Sequence, residues 1–362
     1  MKKLLSLLLA GAMMFSLAAC GEKPADDAQK EDVNANAEGY EIALITDLGS
    51  IDDKSFNQGC WEGVVKYAEE NAKTHKYYKP TEKSDDAYVE AIDLAVTGGA
   101  KVIVTPGFLF ENPIRIAQEK YPEIKFILID GNLGEDVGEN TVAITFAEEE
   151  SGFLAGYAAV KEGYKSLGFV GGMAVPAVVK FGMGYVQGAN YAAEELGLED
   201  GAISCKYNYC GSFGPTPEIE AMASAWYNDG AEVIFAAAGG AGNSVMAAAE
   251  KASKAVIGVD VDQYSESETV ITSATKGINE AVYKTLGEFY ADEFPGKQNV
   301  ILAADQNGVL LPMANSRFET FTQEDYDAIF AKVAAKEIAI NSDIEANVEE
   351  LGTAKVVVKE VK

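Results

Sequence analysis

The chain repeats one pattern along most of its length. A short apolar run rich in β-branched residues is followed by a turn and then by a segment with helical spacing. The runs fall at 42–46, 101–105, 126–129, 142–146, 167–170, 233–237, 256–259 and 270–273. Near-continuous apolarity over four or five residues describes a strand covered on both faces, as in parallel sheets. Between the runs, Trp61, Val64, Val65 and Ala68 stand at i, i+3, i+4 and i+7, and Tyr326, Ile329, Phe330 and Val333 repeat that spacing. Such alternation predicts an α/β, doubly wound architecture with parallel sheets. At 362 residues, the chain exceeds what one core usually supports, so two lobes are expected. Residues 354–361 read as a terminal strand.

The first residues read as an address. Lys2 and Lys3 precede an apolar stretch to Ala19, the pattern of a secretory signal peptide and too short for a comfortable membrane span. Leu17-Ala18-Ala19-Cys20 resembles the lipobox of bacterial lipoproteins, which implies lipidation of Cys20 and a stable anchor. Removal of residues 1–19 deletes two lysines and no acid, taking the net charge from −28 to −30. Residues 20–39 hold few large apolar side chains and read as a flexible spacer. Cys60, Cys205 and Cys210 remain. An odd number argues for free thiols over a Cys205–Cys210 bridge.

Composition excludes several functions. A strongly acidic chain lacks the basic stripe that nucleic acid requires. His75 is the only histidine, which removes most histidine-based catalysis and most zinc sites. It sits in a polar stretch and reads as a surface residue. Gly240-Ala241-Gly242 hints at a dinucleotide fingerprint, but position 245 is valine, and no phosphate-binding P-loop or nucleophile elbow appears. No enzyme activity, cofactor or metal is expected.

Chemistry concentrates in the turns, where open α/β sheets bind ligands. The first turn runs from Asp47 to Gln58. Asp47 ends the first strand and points toward the crevice. Ser55 and Gln58 have the spacing of a helix capping box. Asp52, Asp53 and Lys54 read as solvated loop. Phe56 stands at the helix entrance.

The run DLGSIDDKSFNQGCWEG at 47–63 resembles the opening motif of the basic membrane protein family. These are solute-binding lipoproteins of ABC transporters, similar to purine nucleoside receptors. GFVGGMAVPAVVKFGMGYVQG at 168–188, AAAGGAGN at 236–243, VIGVDVDQ at 256–263 and ITSATKGIN at 271–279 continue the resemblance in order.

The resemblance implies a type I periplasmic-binding-protein fold with two Rossmann-like lobes, parallel sheets and crossover hinge strands. The lobes are expected at 40–147 with 274–310, and at 148–273 with 311–362. It further implies a base held between Phe56 and Phe213, with Asn57 beside it and Asp47 and Asp130 facing base N–H groups. Asp260 and Lys276 are expected at the ribose, with Gly240 and Gly242 allowing close backbone approach. Expected partners are a nucleoside, an ABC permease and its ATPase, and a membrane reached through the lipid; the protein is expected to be a monomer on the outer face of the cytoplasmic membrane. The chain departs from the family pattern at Leu48, at Gly214-Pro215-Thr216-Pro217, and in the short segment between Asp260 and Lys276. Alternatives are another small ligand, such as a flavin or a sugar, and a sensor or regulatory surface lipoprotein.

Overall fold

The computed structural model describes residues 39–361 apart from Leu48 and Gly352. The expected signal peptide, Cys20 and the spacer up to residue 38 lie outside the described residues, as does Leu48. In chain order the elements are β1 (Ile42–Ile45), α1 (Phe56–Glu70), β2 (His75–Tyr78), α2 (Asp85–Thr97), β3 (Val102–Pro106), α3 (Glu111–Lys120), β4 (Lys125–Ile129), β5 (Thr141–Phe146), α4 (Glu148–Glu162), β6 (Ser166–Gly171) and α5 (Pro176–Glu195). They continue with β7 (Ile203–Tyr209), α6 (Pro217–Asn228), β8 (Val233–Ala237), α7 (Gly242–Ala252), β9 (Ala255–Asp260), β10 (Val270–Lys276), α8 (Ile278–Tyr290), β11 (Gln298–Leu302), β12 (Val309–Leu310), α9 (Gln323–Ala334) and β13 (Val356–Glu360).

The strands form two sheets. The first has the order β11-β5-β4-β3-β1-β2, and the second β12-β10-β9-β8-β6-β7-β13. Every pairing is parallel except that of β10 with β12. The eight apolar runs all become strands, and β1, β3, β8 and β9 are buried along their whole length. The edge strands β2, β11 and β12 have no such run, and neither does β7, which lies beside the edge strand β13 and is only partly buried. An edge strand is only partly covered, so polar residues are tolerated there. His75 is therefore not the surface residue its polar neighbours suggest. It is half-buried in β2, with its ring 5.3 Å from that of Trp61.

The chain passes between the sheets from β5 to β6, from β10 to β11 and from β11 to β12. Helix α4 makes the first passage and packs along α5 with backbones touching. A Cβ on Gly152 would overlap the Phe181 carbonyl, and one on Gly156 the Tyr185 carbonyl; on the other helix, Gly184 and Gly188 meet the carbonyls of Glu149 and Phe153 in the same way. These are backbone atoms and cannot rotate aside. Gly156→Ala should therefore destabilise the fold by about 1–3 kcal/mol, the usual range for overpacking. Urea unfolding measures this, and an unchanged midpoint would show that the helices separate without cost. None of the helices among the described residues is long and apolar enough to cross a membrane.

Candidate functional site

The carboxyl ends of strands from both sheets face one cavity. It encloses about 690 Å³ of empty space, with open solvent at its mouth included, and it is lined by Asp47, Asp53, Phe56, Asn57, Gly107, Phe108, Leu109, Asp130, Val175, Pro176, Ala177, Val178, Phe181, Phe213, Ala237, Gly239, Val259, Asp260 and Lys276. Seven of the nine residues expected at a ligand are among them. Gly240 and Gly242 are not. Gly242 begins α7, and a Cβ on Gly240 would stand 3.1 Å from the Phe213 oxygen and 3.6 Å from the Asp53 Cβ. Gly240 thus lets turns from the two sheets approach each other, and Gly239 lines the cavity in its place.

The entrance to α1 differs from the capping box its spacing suggests. The Ser55 side chain makes no capping bond. Asp53, only 8% exposed, replaces it and is no solvated loop residue. Its Oδ1 accepts from the Ser55 and Gln58 N–H groups at 2.9 and 3.1 Å, and its Oδ2 from the Asn57 N–H at 3.0 Å. A carboxylate three residues before the start of a helix satisfies amides that have no intrahelical partner and complements the helix dipole. Burial nevertheless raises the Asp53 pKa, against the hydrogen bonds from Asn57.

Asn57 links two acids. Its Nδ2 donates to Asp47 Oδ1 at 2.9 Å and to Asp53 Oδ2 at 3.0 Å. Both amide hydrogens are thereby engaged. Asp47 Oδ1 also accepts the Gly49 N–H at 2.6 Å, and burial raises its pKa.

At the opposite end, Lys276 stands at the end of β10 with its ammonium between Asp130 and Asp260. It bonds Asp130 Oδ2 and lies 3.0 Å from Asp260 Oδ1. Its charge also lies 4.7 Å from the Phe56 ring centroid and 5.4 Å from that of Phe181. Burial alone would lower its pKa, but Asp130, Asp260 and Glu148 outweigh that and hold it above its ordinary value. Both aspartates sit just where a strand turns, at φ of +54° and +68°. The second oxygen of Asp130 is buried with no hydrogen-bond partner among the described residues, an arrangement that costs about 1–3 kcal/mol until a donor meets it. Asp260 Oδ2 accepts from Ser55 Oγ at 2.5 Å, across the two sheets. Asp262 does not line the cavity and accepts from Asn315 Nδ2 at 2.7 Å.

Two rings complete the walls. Phe56 comes from the first sheet's turn. Phe213, in the turn after β7, lies against Gly172, where a Cβ would overlap its ring. The lining therefore offers four carboxylates, one engaged lysine and aromatic surface.

Residues 41–344 match the family described as Bmp, ABC transporter substrate-binding protein PnrA-like. The chain belongs to this family. It is 31% identical over 312 residues to Basic membrane protein A of Borreliella burgdorferi, covering 84% of this chain and 88% of that one. It is 28% identical over 300 residues to a Lactococcus lactis protein described as ABC transporter nucleoside-binding protein BmpA, covering 76% and 82%. Its fold is similar to that of ABC transporter solute-binding proteins from Aeropyrum pernix, with a TM-score of 0.69, 25% identity and coverage of 86% and 90%. The two-sheet architecture is thus that of an ABC solute-binding protein.

Bmp motif residues account for most of the cavity. The apolar lining contributed by Phe108 and Leu109 had no local signature, because these residues look like an ordinary helix entrance, and 175–178 stand within the 168–188 motif without a role assigned to them. Cys60, Cys205 and Cys210 are free thiols.

One further charge bears on the site. Glu148 opens α4 and is buried, 3.5 Å from the Lys180 ammonium. Burial pushes it up to about 8; Asp130 adds to the shift, and Lys276 and Lys180 oppose it. The folded state then binds this proton more tightly than the unfolded chain does. Its stabilisation is complete below the ordinary glutamate range and is lost as pH rises through the folded-state value. Glu148→Gln should flatten the fall of Tm between about pH 5 and pH 8 and raise Tm at the alkaline end. Parallel wild-type and variant curves in scanning calorimetry would contradict this.

Proposed function

We propose that the protein captures a nucleoside, most suitably a purine nucleoside, between its two sheets and delivers it to an ABC permease driven by its ATPase. One lobe takes residues 40–147 with 277–308, and the other 148–276 with 309–361; the joins expected at 274 and 310 move because all of β10 and β12 pair within the second sheet. The packing of α8 on α1, where Gly63 abuts Asn279, supports the return of the chain to the first lobe. A lipid on Cys20 tethers the protein, as a monomer, at the outer face of the cytoplasmic membrane.

The observation that carries this reading is the joint placement of Phe56 and Phe213 on one cavity with the unpartnered Asp130 oxygen. A flat heteroaromatic ring stacks on such rings whatever its substituents. Carboxylates accept only, so they favour a ligand rich in N–H and O–H donors. Asp47 and Asp130 are assigned to the base, and Asp260 with Lys276 to the ribose hydroxyls. The relative described as nucleoside-binding agrees with this choice over a flavin or a sugar.

Calorimetry of protein unfolded and refolded to strip carried-over ligand tests the reading. Adenosine, guanosine, inosine and uridine are titrated beside free bases and ribose. Binding of at least one nucleoside with ribose silent is expected, and silence from all would end the nucleoside assignment. Phe213→Ala should weaken binding by about 1–3 kcal/mol. Unchanged affinity would remove Phe213 from the site.

The charge inventory gives a second expectation. Lys276 is already held by two carboxylates, and no arginine lines the cavity among the described residues. A phosphate there would face acids without a free cation. Nucleoside 5′-monophosphates should bind at least about 100-fold more weakly than nucleosides, a difference of about 2.7 kcal/mol. Equal affinities in the same titration would show that the acids do not face the ligand.

A further inference from the structure

Gln263 follows the cavity's Asp260 by three residues but does not line the cavity. It is 2% exposed, and its polar groups are engaged in three directions. Its Oε1 accepts the Val259 N–H at 2.9 Å, its backbone N–H donates to Ser273 Oγ at 3.0 Å, and its Nε2 donates to the Lys54 carbonyl at 2.7 Å. The first two partners belong to the second sheet. The third belongs to the turn before α1, on the first sheet. Gly258 makes room for it, because a Cβ there would stand 2.5 Å from Gln263 Oε1.

The segment that Gln263 grips is strained. The Val261 N–H donates to the Val259 carbonyl at 2.8 Å, closing a three-residue turn with Asp260 at its apex and φ of +68°. Such a conformation is costly for a side-chain-bearing residue and persists only where its surroundings enforce it. Gln263 holds the start of that turn through Val259. On the opposing turn, the residue after Lys54 is Ser55, which bonds Asp260 itself. Two parallel hydrogen bonds therefore join the same pair of turns, one through Ser55 and Asp260 and the other through Lys54 and Gln263.

We infer that Gln263 is a positioning residue. It fixes the strained turn that presents Asp260 and ties that turn to the opposite sheet, so that recognition at the Asp260 end and the approach of the two turns occur together. The ligand part of this inference rests on the nucleoside reading above; the tie between the turns does not.

The test compares Gln263→Ala, Gln263→Glu and wild type. Calorimetry reads the affinity for the nucleoside that wild type binds and for its free base. Gln263→Ala should lose about tenfold or more for the nucleoside and much less for the base. Glutamate keeps the acceptor for Val259. As the neutral acid it can also donate to the Lys54 carbonyl; ionised, it cannot. The loss in Gln263→Glu relative to wild type should therefore shrink as the pH is lowered. Equal losses for nucleoside and base, or a loss in Gln263→Glu that ignores pH, would overturn the positioning role.

Hydrogen exchange without ligand gives an independent reading. The Val259 amide should exchange faster in Gln263→Ala but not in Gln263→Glu. The amides of Ser55, Asn57 and Gln58 should exchange faster in both variants at alkaline pH. If these amides do not change, the tie does not exist. If wild type binds no nucleoside while the exchange pattern appears, the nucleoside reading fails and the tie stands.

Discussion

The arrangement depends on one buried ammonium. Lys276 ends a strand of the second sheet and bonds Asp130 at the end of a strand of the first, with Asp260 on its other side. An isolated buried charge of either sign would be too costly to keep. Together they form a short charged chain across the join, and each depends on the others for its place. The excess of acid over base leaves that chain negative. It leaves one Asp130 oxygen without a donor among the described residues, an acceptor that an N–H or O–H group can meet.

Around that chain, the site is built from strand ends and helix entrances. Asp47, Asp130, Asp260 and Lys276 all follow from the same topological fact: a parallel sheet delivers the residue after each strand to one edge. Two sheets placed with those edges facing converge these residues without any local sequence motif binding them together. The aromatic walls come from turns, where glycines such as Gly172 and Gly240 let rings and backbone come close.

The sequence showed the fold where the physics is local and simple. Strands covered on both faces demand apolar runs, so all eight were legible, as were the helical stripes of α1 and α9. Edge strands β2, β11 and β12 were not, nor was β7 beside an edge, because an exposed side relaxes that demand. In the site, residues at strand ends could be named from topology and family resemblance. Asp53 could not, because a carboxylate that caps a helix looks the same in sequence as one in a solvated loop. Ser55 and Gln58 offered the more familiar pattern, but Ser55 instead reaches the other sheet. Gln263 stands within a motif without a role of its own, since the contact that joins the two sheets, to Lys54, is 209 residues away in sequence.

The glycine-mediated contact between α4 and α5 has a mechanical consequence. Although α4 begins directly after a strand of the first sheet, its backbone is locked against a helix of the second. Its opening acids must therefore travel with the second sheet during any relative rotation. The bending is left to Ala147, the one residue between Phe146 and Glu148, whose N–H donates to the Leu302 carbonyl. The other passages have small residues at the matching level, where the Gly277 N–H meets the Gly308 carbonyl. The molecule thus has a stiff lever on one side of a narrow flexure, and Glu148 is carried at the tip of that lever.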